Sequence, residues 1–322
     1  MKLIKSGAMR KVTAGTRATR TLTRRVSKKY AQKSLPQAST TVVLQANRVP
    51  VKKLTPEDVV NFSNGVGERT FRSFFTRIGR NGFVEFMENA PSFYVAKYLV
   101  NDFGEARIGE LIKLVGGKEF GRFIEGCNIQ SEWRDWGNPV PTLLRELNPN
   151  IINRMIKSAG GKVYQRGGGG PGYQVGLIAH YSDAEKVIDL VKLIGPESLG
   201  KLVKYSSGAG FHVGDMIKSA GDEAKVSEVI KLVGPKNLGS MLNFRAVWTG
   251  KGVGYLIKHV KPVDIKKFIS VVGLKNASEY VNNLQPDQIV NIVNTTSPVQ
   301  WKIALEEARK AKLIKNPFWY TS

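Results

Sequence analysis

Branched aliphatic and aromatic residues recur along this chain in triplets with i, i+4, i+7 spacing. The triplet Val187, Val191 and Ile194 returns 39 residues later and again after a further 39, and two earlier copies precede it. Because an α-helix completes a turn in about 3.6 residues, each triplet forms one apolar stripe along a helix. The other triplets are Phe71/Phe75/Ile78, Ile108/Ile112/Val115, Val226/Ile230/Val233 and Ile265/Ile269/Val272.

A glycine stands directly after every triplet and predicts the end of the helix. Glycine has no Cβ atom, so it takes the left-handed backbone conformation at which helices commonly stop. Pro196 and Pro235 follow two of these glycines, and proline suits the first position of a new helix. One helix therefore ends and the next begins within two residues. The five glycines are Gly79, Gly116, Gly195, Gly234 and Gly273.

Two further apolar segments accompany each triplet. One follows the glycine, and a shorter one precedes the unit, at residues 94–100, 175–179, 213–217 and 253–257. A period of 37–40 residues with two to three short helices per unit predicts an all-α fold, an α-solenoid of about five helical repeats. A worn copy lies between Pro141 and Gln165, where Leu147 and Ile151 keep the apolar spacing.

These patterns divide the chain into five parts. The helical repeats begin at Thr55-Pro56-Glu57-Asp58, which has a capping hydroxyl, a proline and two acids in the order typical of a helix start. A run of four glycines at 167–170 predicts a flexible linker and hinge. The parts are a basic extended arm or targeting segment (1–54), N-terminal repeats (55–165), the glycine-rich linker (166–174), C-terminal repeats (175–285), and capping helices with an aromatic tail (286–322).

Most of the net charge of +23 belongs to the first 53 residues, which hold 14 Lys or Arg and no Asp or Glu. Such a composition buries too little apolar surface to fold alone. Three interpretations remain open: a mitochondrial presequence, a retained arm that orders on an anionic or protein partner, or a solvated tail without a partner. The residues predicted to contact that partner are Arg10, Lys11, Arg17, Arg20, Arg24, Arg25, Lys28 and Lys29.

The chain ends in three aromatic residues, Phe318, Trp319 and Tyr320. Aromatic side chains in water are unfavourable, so we expect these three to pack into a pocket on this chain or on a neighbouring protein.

No residue pattern predicts catalysis, a metal or a cofactor. The single cysteine, Cys127, excludes an internal disulfide framework and a cysteine-rich zinc site. His180, His212 and His259 lack metal-ligand spacing, and we interpret them as structural. The glycine strings at 208–210 and 250–254 lack the GxxxxGK motif of phosphate loops and are predicted to be loops between helices. We therefore expect a protein that is not an enzyme and has no small-molecule substrate.

Two further features bear on partners. No run of 18 or more apolar residues occurs, so no membrane-spanning helix is predicted. Lysines stand three residues after an acid in three helices, which predicts a self-neutralised face rather than a phosphate-tracking one. The three pairs are Glu110–Lys113, Asp189–Lys192 and Glu228–Lys231.

The leading hypothesis is a non-catalytic structural protein of a large assembly, such as a minor capsid protein of a large virion or a component of a ribosome-like particle. It would dock other protein subunits on its helical-repeat surface, and RNA or another polyanion on its basic arm. The alternative is a mitochondrial or other organellar RNA-binding helical-repeat protein, associated with the mitoribosome, whose presequence is cleaved. The sites of action would be the virion and the mitochondrion, respectively.

Overall fold

The computed structural model describes residues 53–127, 139–160, 169–206, 209–242 and 249–310, and in these ranges the chain is all-helical, with 18 helices and no strand. The prediction of an all-α helical-repeat chain is confirmed. The helices are α1 (Pro56–Val66), α2 (Glu68–Asn89), α3 (Phe93–Phe103), α4 (Glu105–Val115), α5 (Gly117–Cys127), α6 (Pro139–Glu146), α7 (Pro149–Ala159), α8 (Pro171–Ser182), α9 (Ala184–Ile194), α10 (Pro196–Tyr205), α11 (Gly210–Ala220), α12 (Glu223–Val233), α13 (Pro235–Met241), α14 (Thr249–His259), α15 (Pro262–Val272), α16 (Leu274–Asn283), α17 (Pro286–Thr295) and α18 (Pro298–Lys310).

The helix start predicted at Thr55 is confirmed, and so are four of the five helix ends predicted at glycines. Thr55 and Asp58 form a reciprocal capping box at the start of α1, in which each side chain accepts from the other's backbone N–H. Gly116, Gly195, Gly234 and Gly273 end their helices, whereas Gly79 lies within α2 and kinks it; all five have φ between 71° and 93°. Their ψ values are near 140–170°, so the conformation is extended rather than left-handed helical, and it is still one that essentially only glycine adopts. The same glycine both ends one helix and precedes the next, so the chain turns within a single residue.

From α4 onward, helices pack mainly on the third helix further along the chain, and this stride places them, together with the two halves of α2, in three columns. Helices α1 and α3 pack mainly on each other and lie outside this pattern. Two ion pairs span the same stride: Lys186 of α9 lies 3.3 Å from Glu223 of α12, and Arg154 of α7 pairs with Glu197 of α10. The first column contains the second half of α2, then α5, α8, α11, α14 and α17. The second contains the first half of α2, then α4, α7, α10, α13 and α16, and the third contains α6, α9, α12, α15 and α18.

The column that a helix joins is not always set by its place (first, second or third) in its sequence unit. Helix α5 is the third helix of its sequence unit, whereas α8, α11 and α14, which continue its column, are the first helices of theirs. The worn copy supplies only two of the described helices, α6 and α7. From α8 onward, each helix therefore joins a different column from the helix with the same place in the earlier units: α8 stacks on α5, although its counterpart in the earlier unit is α3. The number of helices between two helices in the chain, rather than their places in the sequence units, therefore decides whether they pack together.

Glycines in the first column bring helix backbones into direct contact. The helices α5, α8, α11 and α14 each carry two glycines four residues apart, and these face the preceding helix of the column. A Cβ atom at any of them would lie within 3.0 Å of that helix, mostly of its backbone. No larger side chain fits there without moving the helices apart. The pairs are Gly117/Gly121, Gly172/Gly176, Gly210/Gly214 and Gly250/Gly254.

Two sequence-based expectations about glycine are corrected here. The string at 250–254 is not a loop but the first half of α14, and Gly210 is the first residue of α11. The linker predicted at 166–174 ends earlier, because α8 begins at Pro171 and packs closely on α5. In both places glycine serves close helix packing, which the absence of a side chain also permits.

Substitutions in α14 test this packing, because the helix contains both crowded and uncrowded glycines. A Cβ atom at Gly254 would lie 2.5 Å from the Met216 carbonyl oxygen, whereas one at Gly252 meets nothing closer than 3.4 Å. Gly254→Ala should destabilise the fold by about 1–3 kcal/mol through overpacking. Gly252→Ala should be neutral or stabilise by up to about 1 kcal/mol, since alanine favours helix. Thermal unfolding of both variants measures the difference, and equal melting temperatures would contradict close contact at Gly254.

The buried His212 of α11 predicts a pH dependence of stability. Its side chain is 1% exposed, and burial lowers its pKa from 6.5 to about 4. The unfolded chain therefore binds a proton at His212 below pH 6.5 that the folded chain does not bind until about pH 4. At pH 5 this favours unfolding by about 2 kcal/mol. Denaturant unfolding of the wild type and His212→Gln should show a stability gap that changes by that amount between pH 7 and pH 5, and parallel pH curves would refute it.

Candidate interaction surface

The residues predicted from sequence to bind partners lie outside the described part of the chain. This applies to the basic residues of the arm and to the aromatic tail. Both remain predictions. The described residues contain a different candidate, which runs across α5, α8, α11 and α14.

The glycines that hold the first column together also fix which side of each helix remains accessible. With two glycines against the preceding helix, the residues at the second, sixth and ninth positions counted from the first glycine share another side, at i, i+4 and i+7. In four successive helices this side is aromatic or charged at most positions and is partly buried or exposed. We name it the aromatic–charged row. Its members are Lys118, Arg122 and Glu125 of α5, Tyr173, His180 and the adjoining Tyr181 of α8, Phe211, Asp215 and Lys218 of α11, and Lys251, Tyr255 and Lys258 of α14.

The end of the row between α5 and α8 contains a partly buried carboxylate and a tyrosine. Burial raises the pKa of Glu125, against the opposing field of Arg122. Burial likewise raises the pKa of the Tyr173 hydroxyl, and the charges of Glu125 and Tyr181 add to the effect. A Cβ atom at Gly126, next to Glu125, would lie 2.2 Å from the Tyr173 carbonyl oxygen, so the row is continuous from α5 to α8.

The centre of the row lies between α8 and α11. The rings of Tyr181 and Phe211 pack 6.0 Å apart, and the His180 ring lies 5.1 Å from that of Tyr181. Burial lowers the pKa of His180, a hydrogen bond to the Cys127 backbone opposes this, and the charge of Lys218 lowers it further. Burial also raises the pKa of Tyr181, as does the nearby charge of Asp215.

The end of the row between α11 and α14 is rich in lysine. Burial raises the pKa of Asp215 even though Lys251 and Lys218 both act to lower it. Lys258 is exposed one turn further along α14, beside the partly buried Tyr255. Desolvation therefore dominates the electrostatics here, as expected where side chains crowd together at a partly enclosed surface.

Hydrogen bonds between consecutive helices hold the row in register. The N-termini of α8 and α11 have no capping side chain of their own. Instead, the Glu119 carboxylate of α5 accepts from the Gly172 N–H at 2.9 Å, and the Gln174 amide oxygen of α8 accepts from the Gly210 N–H at 2.9 Å. Helix α5 thereby caps α8, and α8 caps α11, in each case at the glycine where the two backbones meet.

The predicted self-neutralised face is confirmed at one of its three acid–lysine pairs. Asp189 and Lys192 lie 3.3 Å apart, on the exposed surface of α9. For Glu110–Lys113 and Glu228–Lys231, both of which fall in described helices, the structure shows no ion pair.

The aromatic–charged row was not predicted from the sequence. His180 was interpreted as structural, and Tyr173 fell in the predicted linker. The detectable signal was the glycine pair four residues apart, present in α5, α8, α11 and α14. The repeat alignment does not place α5 beside α8, because these helices belong to different sequence classes.

Comparison with known proteins adds no assignment: no family model, curated protein or solved structure matches the chain. Among the described residues, no group of His, Cys, Asp or Glu could hold a metal ion. None of the described helices has the length and apolar character needed to cross a membrane. Partly buried ionisable groups with perturbed pKa values are concentrated in the aromatic–charged row, as is common at functional sites.

The capping bond of Gln174 generates a prediction. Gln174→Met keeps the volume but removes the acceptor for the Gly210 N–H, and it should cost about 1–2 kcal/mol. Amide exchange at the start of α11 should accelerate at the same time. Glu119→Gln serves as the control, because it retains an oxygen acceptor for Gly172 and should leave exchange at α8 nearly unchanged. Unaltered exchange at Gly210 in Gln174→Met would show that the cap does not couple the two helices.

Proposed function

We propose that this protein is a non-catalytic α-solenoid of about five repeats that serves as a structural component of a large assembly. Candidates are a minor capsid protein of a large virion and a component of a ribosome-like particle. Its stacked helices would offer a docking surface to other protein subunits. The basic arm would bind RNA or another polyanion, and the aromatic tail would bind a protein neighbour.

The observation that carries the proposal is the backbone contact at the glycine pairs, repeated from α2 to α14. Such contacts fix the separation of successive helices, and a packed interior transmits displacement instead of absorbing it. A stack of this kind suits a part that must hold its neighbours at fixed positions. In an array in which each unit contacts only its neighbours, the exposed surface also grows in proportion to the number of units.

The composition of the aromatic–charged row is consistent with a protein partner. Tyrosine and arginine are enriched where proteins bind one another, because they combine apolar contact area with hydrogen bonding. Tyr173, Tyr181 and Arg122 supply this combination beside carboxylates. The row contains both signs of charge, which fixes the register of a partner more than its overall affinity.

A second function, RNA binding in an organelle, is favoured by one observation. Aromatic rings alternate with lysines where α11 meets α14, and this combination is also used by proteins that bind single-stranded nucleic acid. Phe211, Tyr255, Lys218 and Lys251 are the residues concerned.

Sedimentation of the native protein separates the two functions. As a structural component, the 35.6-kDa chain should sediment in a much larger particle, at a fixed copy number, before and after ribonuclease treatment and in high salt. Recovery at the mass of a single chain would refute the scaffold function. Release by ribonuclease together with loss of binding in high salt would establish RNA as the ligand instead.

A further inference from the structure

The aromatic–charged row has the dimensions of a site for an extended chain. Helices packed in contact lie about 8–10 Å apart, so four helices of one column span about 24–30 Å. A polypeptide in extended conformation rises about 3.3 Å per residue, and a segment of about seven to nine residues would cover the row.

The charge along the row indicates what such a segment would carry. Lysines and arginine outnumber the two carboxylates, and three lysines are concentrated at the end formed by α11 and α14. The only row carboxylate at that end, Asp215, lies in a desolvated position despite two lysines near it. A ligand with carboxylates at this end would therefore be attracted electrostatically.

At the centre of the row, the ligand groups that fit best are aromatic rather than acidic. Tyr173, Tyr181 and Phe211 present ring surface that is partly buried, and Tyr181 and Phe211 already pack on each other. Aromatic rings of a ligand would extend this cluster in edge-to-face or offset contacts.

The distribution of cations weighs against a nucleic acid. A strand that tracks the row would place phosphates at every helix, and each would need a cation. Helix α8 has no lysine or arginine in its entire length, and the row carboxylates Glu125 and Asp215 lie on the helices at either side of it. Phosphates would meet no lysine or arginine on α8 and would approach carboxylates on both neighbouring helices.

We infer that the aromatic–charged row binds an extended acidic peptide segment that carries aromatic side chains, presented by another protein. Acidic side chains would lie on Lys218, Lys251 and Lys258, and aromatic ones on Tyr173, Tyr181 and Phe211. The inference rests on the proposed function, for which it names the chemistry of the docked protein.

Site-resolved acetylation of lysine in the full-length protein tests this inference. The basic arm would attract any polyanion, so total binding is uninformative and each lysine must be followed separately by mass spectrometry. The probes are a random glutamate–tyrosine copolymer, a lysine–tyrosine copolymer as the control of opposite charge, and poly(U). At ten times the dissociation constant, the glutamate–tyrosine copolymer should slow acetylation of Lys218, Lys251 and Lys258 about tenfold. Lys266, Lys267 and Lys275, which are exposed elsewhere, should be slowed less than twofold.

Charge reversal provides the matched variants. Lys218→Glu combined with Lys251→Glu should weaken binding of the glutamate–tyrosine copolymer about tenfold at low salt. Lys266→Glu combined with Lys267→Glu changes the net charge equally and should have little effect. All four lysines are exposed, so the variants should fold, which thermal unfolding would verify.

Three results would overturn the inference: row lysines that stay reactive, equal weakening by both variant pairs, or stronger protection of the row by poly(U) than by the copolymer. The scaffold function is judged separately by sedimentation. If the row lysines stay reactive while the protein still sediments in a ribonuclease-resistant particle, only the peptide assignment fails.

Discussion

The structure depends on contact between the backbones of helices three apart, made possible by glycine. A Cβ atom at Gly172 or Gly176 would collide with the backbone of α5, and one at Gly250 or Gly254 with that of α11. Such close approach increases the dispersion energy between helices, because atoms on both sides of the interface are in contact along the whole helix. It also costs helix propensity at every glycine, by about 1 kcal/mol relative to alanine. Glycine pairs nevertheless recur in four helices, so the gain from close helix packing outweighs the low helix propensity of glycine.

The same contact organises the candidate surface. Once the glycines face the preceding helix, the accessible side of each helix is fixed, and successive helices present their side chains in line. Capping bonds from Glu119 to Gly172 and from Gln174 to Gly210 occur at the same junctions. The spacing of the row is therefore set by the packing of the column. A ligand of the row would contact several units at once, and its binding would stabilise the stack as a whole.

Sequence alone predicted much of the fold but not the surface. The apolar triplets and the trailing glycines located the helices, because periodicity and helix-stop chemistry are local properties. The columns are non-local: whether α5 meets α8 depends on how many helices intervene, and between these two the described residues contain only α6 and α7. The string at 250–254 was assigned to a loop because glycine is a poor helix former, and only tertiary contact explains its place in α14. The row, which combines residues of two sequence classes, could not be identified without that contact.

The account is tested most directly by distances between spin labels placed along the first column. Glu125, His180 and Lys258 occupy the same position in α5, α8 and α14, and the one native cysteine, Cys127, is buried with a raised thiol pKa and should not compete for label. Electron–electron resonance on cysteine pairs should give a separation from 125 to 258 that exceeds the separation from 180 to 258 by one helix spacing, about 8–10 Å. Equal or reversed separations would contradict a column built by stacking each helix on the third before it.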